Sequence, residues 1–166
     1  MTLSAQDEVA QLERDCEAGT AEACMNLGSR FGFGAHETTM DRTRAVGFWE
    51  QACNLEDGLG CRWFGQFCED PTRAASAYQK GCDLGDDGAC GGGASLHAHD
   101  GGLPDPARHA SFMEKACDLE VGLYCLRLGL MYDIGFRVPK DTARANELFK
   151  KGCLFENEEA CNLIRR

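Results

Sequence analysis

Basic residues are scarce in this 166-residue chain: 17 Lys and Arg stand against 27 Asp and Glu, a formal net charge of −10. A polyphosphate would be repelled by that surplus, so DNA and RNA are excluded as expected partners. Long apolar runs are missing too. No segment approaches the eighteen or so apolar residues of a membrane-spanning helix, and no membrane insertion is expected. The N-terminal MTLSAQDEVAQLERDC has no basic region followed by an apolar stretch, so it does not read as a signal peptide. It reads as an acidic amphipathic helix with Val9, Leu12 and Cys16 on one side. A hydrophobic share of 43% is ordinary for a folded chain and excludes wholesale disorder. The length fits one domain with a real core.

Cysteine is abundant instead, with eleven in the chain. Ten form pairs eight positions apart: Cys16/Cys24, Cys53/Cys61, Cys82/Cys90, Cys117/Cys125 and Cys153/Cys161. Cys68 is left over. Regular pairing favours disulfides, which persist in oxidising surroundings. The absent signal conflicts with that, leaving two readings: a mature protein with an added Met1, which we favour, or reduced cysteines in a cytosol. Zinc sites usually space cysteines two to four residues apart on knuckles, which this spacing is not, so no metal is expected.

The first cysteines lie 37, 29, 35 and 36 residues apart, a period typical of solenoids built from helical pairs. Twelve residues before four of them stand Asp41, Asp70, Asp105 and Asp141, with Pro71 and Pro106 following two. Aspartate caps and first-turn prolines start helices. Ala45, Ala74, His109 and Ala145 stand eight before the cysteine, and Trp49, Tyr78, Met113 and Phe149 four before, on one helical face. The second cysteine of each pair is expected to open another helix. Its core stripe continues through Leu27, Phe64, Gly93 and Leu128, then the small Gly28, Gly65, Ala94 and Gly129, then Phe31, Cys68, His97 and Tyr132. Each cysteine pair therefore staples consecutive helices across their turn. Cys68 reads as a buried, inert core thiol. The connector before the next aspartate is missing after Cys68, where CED runs straight into PTRAASAYQ.

These columns, with C-x7-C and phrases such as KACDLEVGLYCLRLGLMYDIG and FKKGCLFENEEACNLI, resemble the Sel1-like repeats of the Helicobacter cysteine-rich protein family. The resemblance covers nearly the whole chain. It implies an all-α right-handed αα-superhelix (Sel1-like or TPR-like) with intra-repeat disulfides. About four helix-pair repeats are expected, near 20–55, 57–84, 86–119 and 121–155, between terminal helices at 3–18 and 157–165, as one domain. The family also carries a penicillin-binding or β-lactamase label, and Sel1-like proteins serve as scaffolds and adaptors. A cysteine-rich mitochondrial intermembrane-space assembly factor is similar. The chain departs from the pattern in its few repeats, its shortened second connector and the GGG at Gly91–Gly93.

Hydrolytic motifs do not support the enzyme label. The serine contexts SAQD, SRFG, SAYQ, SLHA and SFME contain no S-x-x-K. His97 and His99 of HAHD point about 200° apart on a helix and cannot chelate one ion. No G-K-[ST] follows Gly91–Gly93, so it is no phosphate loop; helical glycines mark a weak or flexible stretch, or one that opens a groove. The carboxylates are scattered over caps and solvent faces.

One helical face points outward. If the resemblance holds, it lines a concave surface, with Asn26, Arg30, Trp63, Gln66, Phe67, His99, Arg127 and Met131 as candidate binding residues. Phe33, Leu130 and Ile134 share that face. Aromatics and arginine dominate binding hot spots; burial under neighbouring repeats is the competing reading. The expectation is a non-catalytic scaffold for a protein or peptide, with no cofactor, in the periplasm or secreted. The mitochondrial intermembrane space and the cytoplasm are the alternative compartments. A β-lactam-binding or weakly hydrolytic protein and an immunity-type inhibitor are the functional alternatives.

Overall fold

The computed structural model describes residues 4–34, 38–98, 100 and 102–164. In chain order its helices are α1 (Ala5–Glu17), α2 (Ala21–Phe33), α3 (Arg42–Asn54), α4 (Gly58–Phe67), α5 (Pro71–Asp83), α6 (Asp87–Leu96), α7 (Pro106–Asp118), α8 (Gly122–Ile134), α9 (Thr142–Leu154) and α10 (Glu158–Ile164). No strand occurs among the described residues, and the fold class is all-α, as expected. The chain divides into two units, residues 1–89 and 90–166. In the first, α2 packs on α1 and α3, and α4 on α3 and α5. In the second, α8 packs on α7 and α9, and α10 on α9.

The expected aspartate caps start four helices. Asp41 and Asp141 accept from the backbone N–H groups of Arg44 and Arg144. Asp70 and Asp105 each accept two, and Pro71 and Pro106 follow them. Asp41, Asp105 and Asp141 also donate their own N–H groups to the carbonyls of Phe31, His97 and Tyr132 at 2.9, 3.1 and 2.9 Å. These bonds tie the end of each connector to the helix before it, so connectors of different length deliver the cap equally well.

The cysteine-bearing turns follow one design. Each runs through three residues, and its middle residue is left-handed: Gly19, Glu56, Gly85, Glu120 and Glu156 have φ of 93°, 64°, 88°, 67° and 60°. The N–H of that residue bonds the carbonyl of the first cysteine, and the next N–H bonds the residue before it, as Glu56 to Cys53 and Asp57 to Ala52. This is a Schellman close. The following helix starts three residues before the second cysteine, not at it, which corrects the sequence-based expectation. The reason is a second set of caps. Asp57, Asp86 and Asn157 accept from the N–H groups of Gly60, Ala89 and Ala160 at 2.6, 2.6 and 2.9 Å. The disulfide then joins the last turn of one helix to the first turn of the next, with Cα–Cα distances of 4.8 Å (Cys16–Cys24), 4.3 Å (Cys53–Cys61), 4.7 Å (Cys117–Cys125) and 4.5 Å (Cys153–Cys161). Cys82 and Cys90 are disulfide-bonded as well.

Left-handed backbone costs a side-chain-bearing residue about 1 kcal/mol or more, and glycine almost nothing. Replacing Glu56, Glu120 or Glu156 with Gly is therefore expected to raise the melting temperature, by up to about 1 kcal/mol each in stability. The same change at exposed Glu147, inside α9, should lower it. Thermal unfolding by circular dichroism reads both.

Each core is built by rings sinking into glycines. A Cβ at Gly28 or Gly32 of α2 would collide with the Trp49 ring of α3; one at Gly65 would press on Tyr78, and one at Gly129 on Phe149. The small-residue column thus receives the large side chain four before the next cysteine. Gly91 and Gly93 behave likewise, against the Tyr124 hydroxyl and the Phe112 ring. That space is filled, so these glycines do not open the groove considered from sequence. Between like helices, Arg44 pairs with Glu13, Arg73 with Glu50 and Arg144 with Glu114.

Candidate functional site: an aromatic face on the first unit

Trp63 and Phe67 stand one turn apart on α4, so their rings share a face. Phe33, the last residue of α2, meets the Trp63 ring edge-on at 5.3 Å between centroids. Beneath lies Trp49, 1% exposed, stacked on Trp63 at 5.8 Å and on Phe67 at 5.1 Å. Phe33 itself is 51% exposed, and Trp63 and Phe67 are half-buried. Two guanidinium groups flank the rings: Arg62 lies 5.4 Å from the Trp63 centroid and Arg42 4.8 Å from that of Phe67. Stacked aromatics over a buried indole form a stiff apolar platform that loses little entropy when it is covered.

A groove of about 630 Å³ opens beside the platform, lined by Arg42, Thr43, Val46, Gln66, Phe67 and Cys68, and bounded by Glu69, Asp70 and Arg73. Cys68 is a free thiol and half-buried rather than part of the core. The direct run from CED into Pro71 ends α4 at Phe67, leaving Cys68 with extended backbone, its Sγ donating to the Asp70 carbonyl at 3.6 Å.

The other candidates are placed unevenly. Asn26 and Gln66 are exposed in the first unit and Arg127 in the second. Arg30 is held by Glu8 at 2.8 Å with its side chain only 13% exposed. Met131 is buried at 7% and does not belong to an outward face; α8 packs on both α7 and α9, so more than one stripe is covered. His99 lies outside the described residues. His97 is buried at 3%, as expected, with Nδ1 2.7 Å from the Leu103 carbonyl and its ring stacked on Phe112. Sequence reasoning missed Arg42, whose only signal was its place in the helix-starting position filled by proline in two other repeats. Among the described residues, no group of three or more His, Cys, Asp or Glu could hold a metal ion.

At the edge of the platform, Arg62 lies 3.7 Å from Asp86, the cap of α6. Burial pushes the Asp86 carboxyl above the usual carboxylate range, against the opposing effects of the Ala89 N–H and Arg62. A raised carboxyl binds its proton more tightly folded than unfolded, so stability falls as pH rises from the ordinary carboxylate range through the folded value. Asp86→Asn keeps the cap, as Asn157 shows, and removes that slope. The variant is expected to melt higher than wild type at pH 7, with the gain shrinking as pH falls through the carboxylate range.

Helical hairpins, stacked in sequence and closed by recurring turns, define an αα-repeat protein. The Sel1 repeat family model matches residues 21–57 and 123–154, and the fold is the Sel1-like repeat fold, shared with solved Sel1 repeat structures. A Sel1 repeat protein from Oxalobacter formigenes superposes with a TM-score of 0.77 at 18% identity, over 96% of this chain and 49% of that one. The protective antigen c5321 of uropathogenic Escherichia coli gives 0.68 at 19% identity, over 95% and 36%. The chain thus spans half or less of these two relatives. Helicobacter pylori cysteine rich protein B is also matched, at 21% identity over 96% and 93%, with a TM-score of 0.37. No curated protein is matched by sequence. Sel1 repeats typically bind proteins. Ten disulfide-bonded cysteines fit an oxidising compartment. No helix among the described residues is long and apolar enough to cross a membrane.

Proposed function

We propose that the chain is a non-catalytic scaffold that binds a protein or peptide in the periplasm or outside the cell. The observation that carries this reading is the solvent-facing platform of Phe33, Trp63 and Phe67 over buried Trp49, flanked by Arg42 and Arg62. Aromatic residues set beside arginine are the composition of binding hot spots. Gln66 and Asn26 supply a polar rim on the same unit, and Arg127 is a separate contact on the second. An immunity-type inhibitor would use the same platform, with an enzyme as its partner.

Affinity capture from the native source under non-reducing conditions tests the reading, with wild type compared against Trp63→Ala and Phe67→Ala. Circular dichroism confirms that both variants are folded. A partner held by wild type and lost from both variants is expected. Turnover of a chromogenic β-lactam, abolished by the same substitutions, would replace the scaffold with an enzyme.

A further inference from the structure

We infer that the groove beside Phe67 takes a peptide segment in which an apolar side chain adjoins a single carboxylate, the carboxylate docking on Arg42. This rests on the scaffold reading and names the chemistry of its ligand. Four arginines of the first unit already face carboxylates: Arg30 with Glu8, Arg44 with Glu13, Arg62 with Asp86 and Arg73 with Glu50. Arg42 is different. Among the described residues it meets no carboxylate and only stacks on the Phe67 ring at 4.8 Å.

A guanidinium held over a ring by a cation–π contact spends none of its N–H donors on a carboxylate, and its fork matches that of an incoming one. In an acidic chain such a cation is the natural counterpart of an incoming anion. The exposed Thr43 hydroxyl and Gln66 amide offer neutral donors beside it, and Val46 and Phe67 supply the apolar floor. One oxygen of the Asp70 carboxylate, Oδ1, accepts from the N–H groups of Thr72 and Arg73, at 2.8 and 3.3 Å. Glu69, on the same wall, opposes a second acidic group, as does the net charge of −10. The ligand is therefore apolar with one acid, not polyacidic. A volume of about 630 Å³ accommodates two or three residues of such a segment.

The probes are the blocked peptides Ac-Ala-Phe-Glu-Ala-NH2 and Ac-Ala-Phe-Gln-Ala-NH2, added to the intact oxidised chain. Amide shifts of Gln66 and Phe67 report affinity, and the alkylation rate of the Cys68 thiol by iodoacetamide reports occupancy. The acidic peptide is expected to bind about tenfold more tightly than its amide, to lose that margin in Arg42→Gln and to slow alkylation of Cys68. Equal affinities, or a preference for acid that survives Arg42→Gln, would overturn the inference. If neither peptide binds while partner capture still depends on Trp63, this groove is wrong and the platform stands. If capture is also independent of Trp63, both readings fall.

Discussion

Reduction is expected to unfold this chain at 37 °C, while the oxidised form keeps its helical circular dichroism. Each bridge with described geometry spans a sequence separation of 8. In the chain-entropy model, closing a loop of that size is worth about 2.5 kcal/mol. Ten bonded cysteines then account for a stabilisation comparable with the whole stability of a typical domain, about 5–15 kcal/mol. The increments do not simply add, because the Schellman turns keep some local order after reduction. Even half the sum leaves little margin. The order of loss is also expected. Cys24, Cys61 and Cys125 are wholly buried, whereas Cys153 and Cys161 are half-exposed, so the Cys153–Cys161 bridge should open first. Stepwise reduction with alkylation and mass mapping reads the order. Ellman's reagent should find one thiol in the native chain and eleven after complete reduction. Unchanged dichroism at eleven thiols would show that the bridges do not hold the fold.

What the sequence made legible was whatever recurred. The cysteine pairs, the aspartates twelve residues before them and the small residues facing large ones appear several times each, and physical chemistry assigns each column one role. The features that escaped were masked by variation within a column. The caps Asp57, Asp86 and Asn157 alternate with Thr20 and Val121, which make no side-chain cap bond, so the true helix starts were hidden. Left-handed turns are announced by Gly19 and Gly85 but concealed by Glu56, Glu120 and Glu156. Cys68 was aligned with Phe31 and His97 although the absent connector ends its helix at Phe67. Met131 was assigned outward from a single-stripe view, which fails for a helix packed on two neighbours. On the candidate face, Trp63 and Phe67 were legible from helical spacing. Arg42 was not, because its role depends on which other arginines already have partners.

Truncating Trp49 should have the largest single-residue effect in the first unit. The ring is 1% exposed and touches Phe33, Trp63 and Phe67, and its floor is Gly28 and Gly32, which have no side chains to fill a hole. Trp49→Ala is therefore expected to cost about 3–5 kcal/mol, at the upper end because the site relaxes poorly. The indole Nε1 has no hydrogen-bond partner, so Trp49→Phe removes an unsatisfied donor along with volume and should cost well under half as much. Gly28 supplies the decisive control. In the wild-type chain Gly28→Ala drives a methyl into the indole, an overpacking worth about 1–3 kcal/mol. In the Trp49→Ala background the same methyl enters the space the ring has left, and its cost should vanish. Urea unfolding of the two single variants and the double variant then gives a favourable coupling energy of about 1–3 kcal/mol. Strict additivity would mean that ring and glycine do not meet. Since Trp49 also supports Trp63 and Phe67, partner capture by folded Trp49→Phe measures how far the platform depends on the core beneath it.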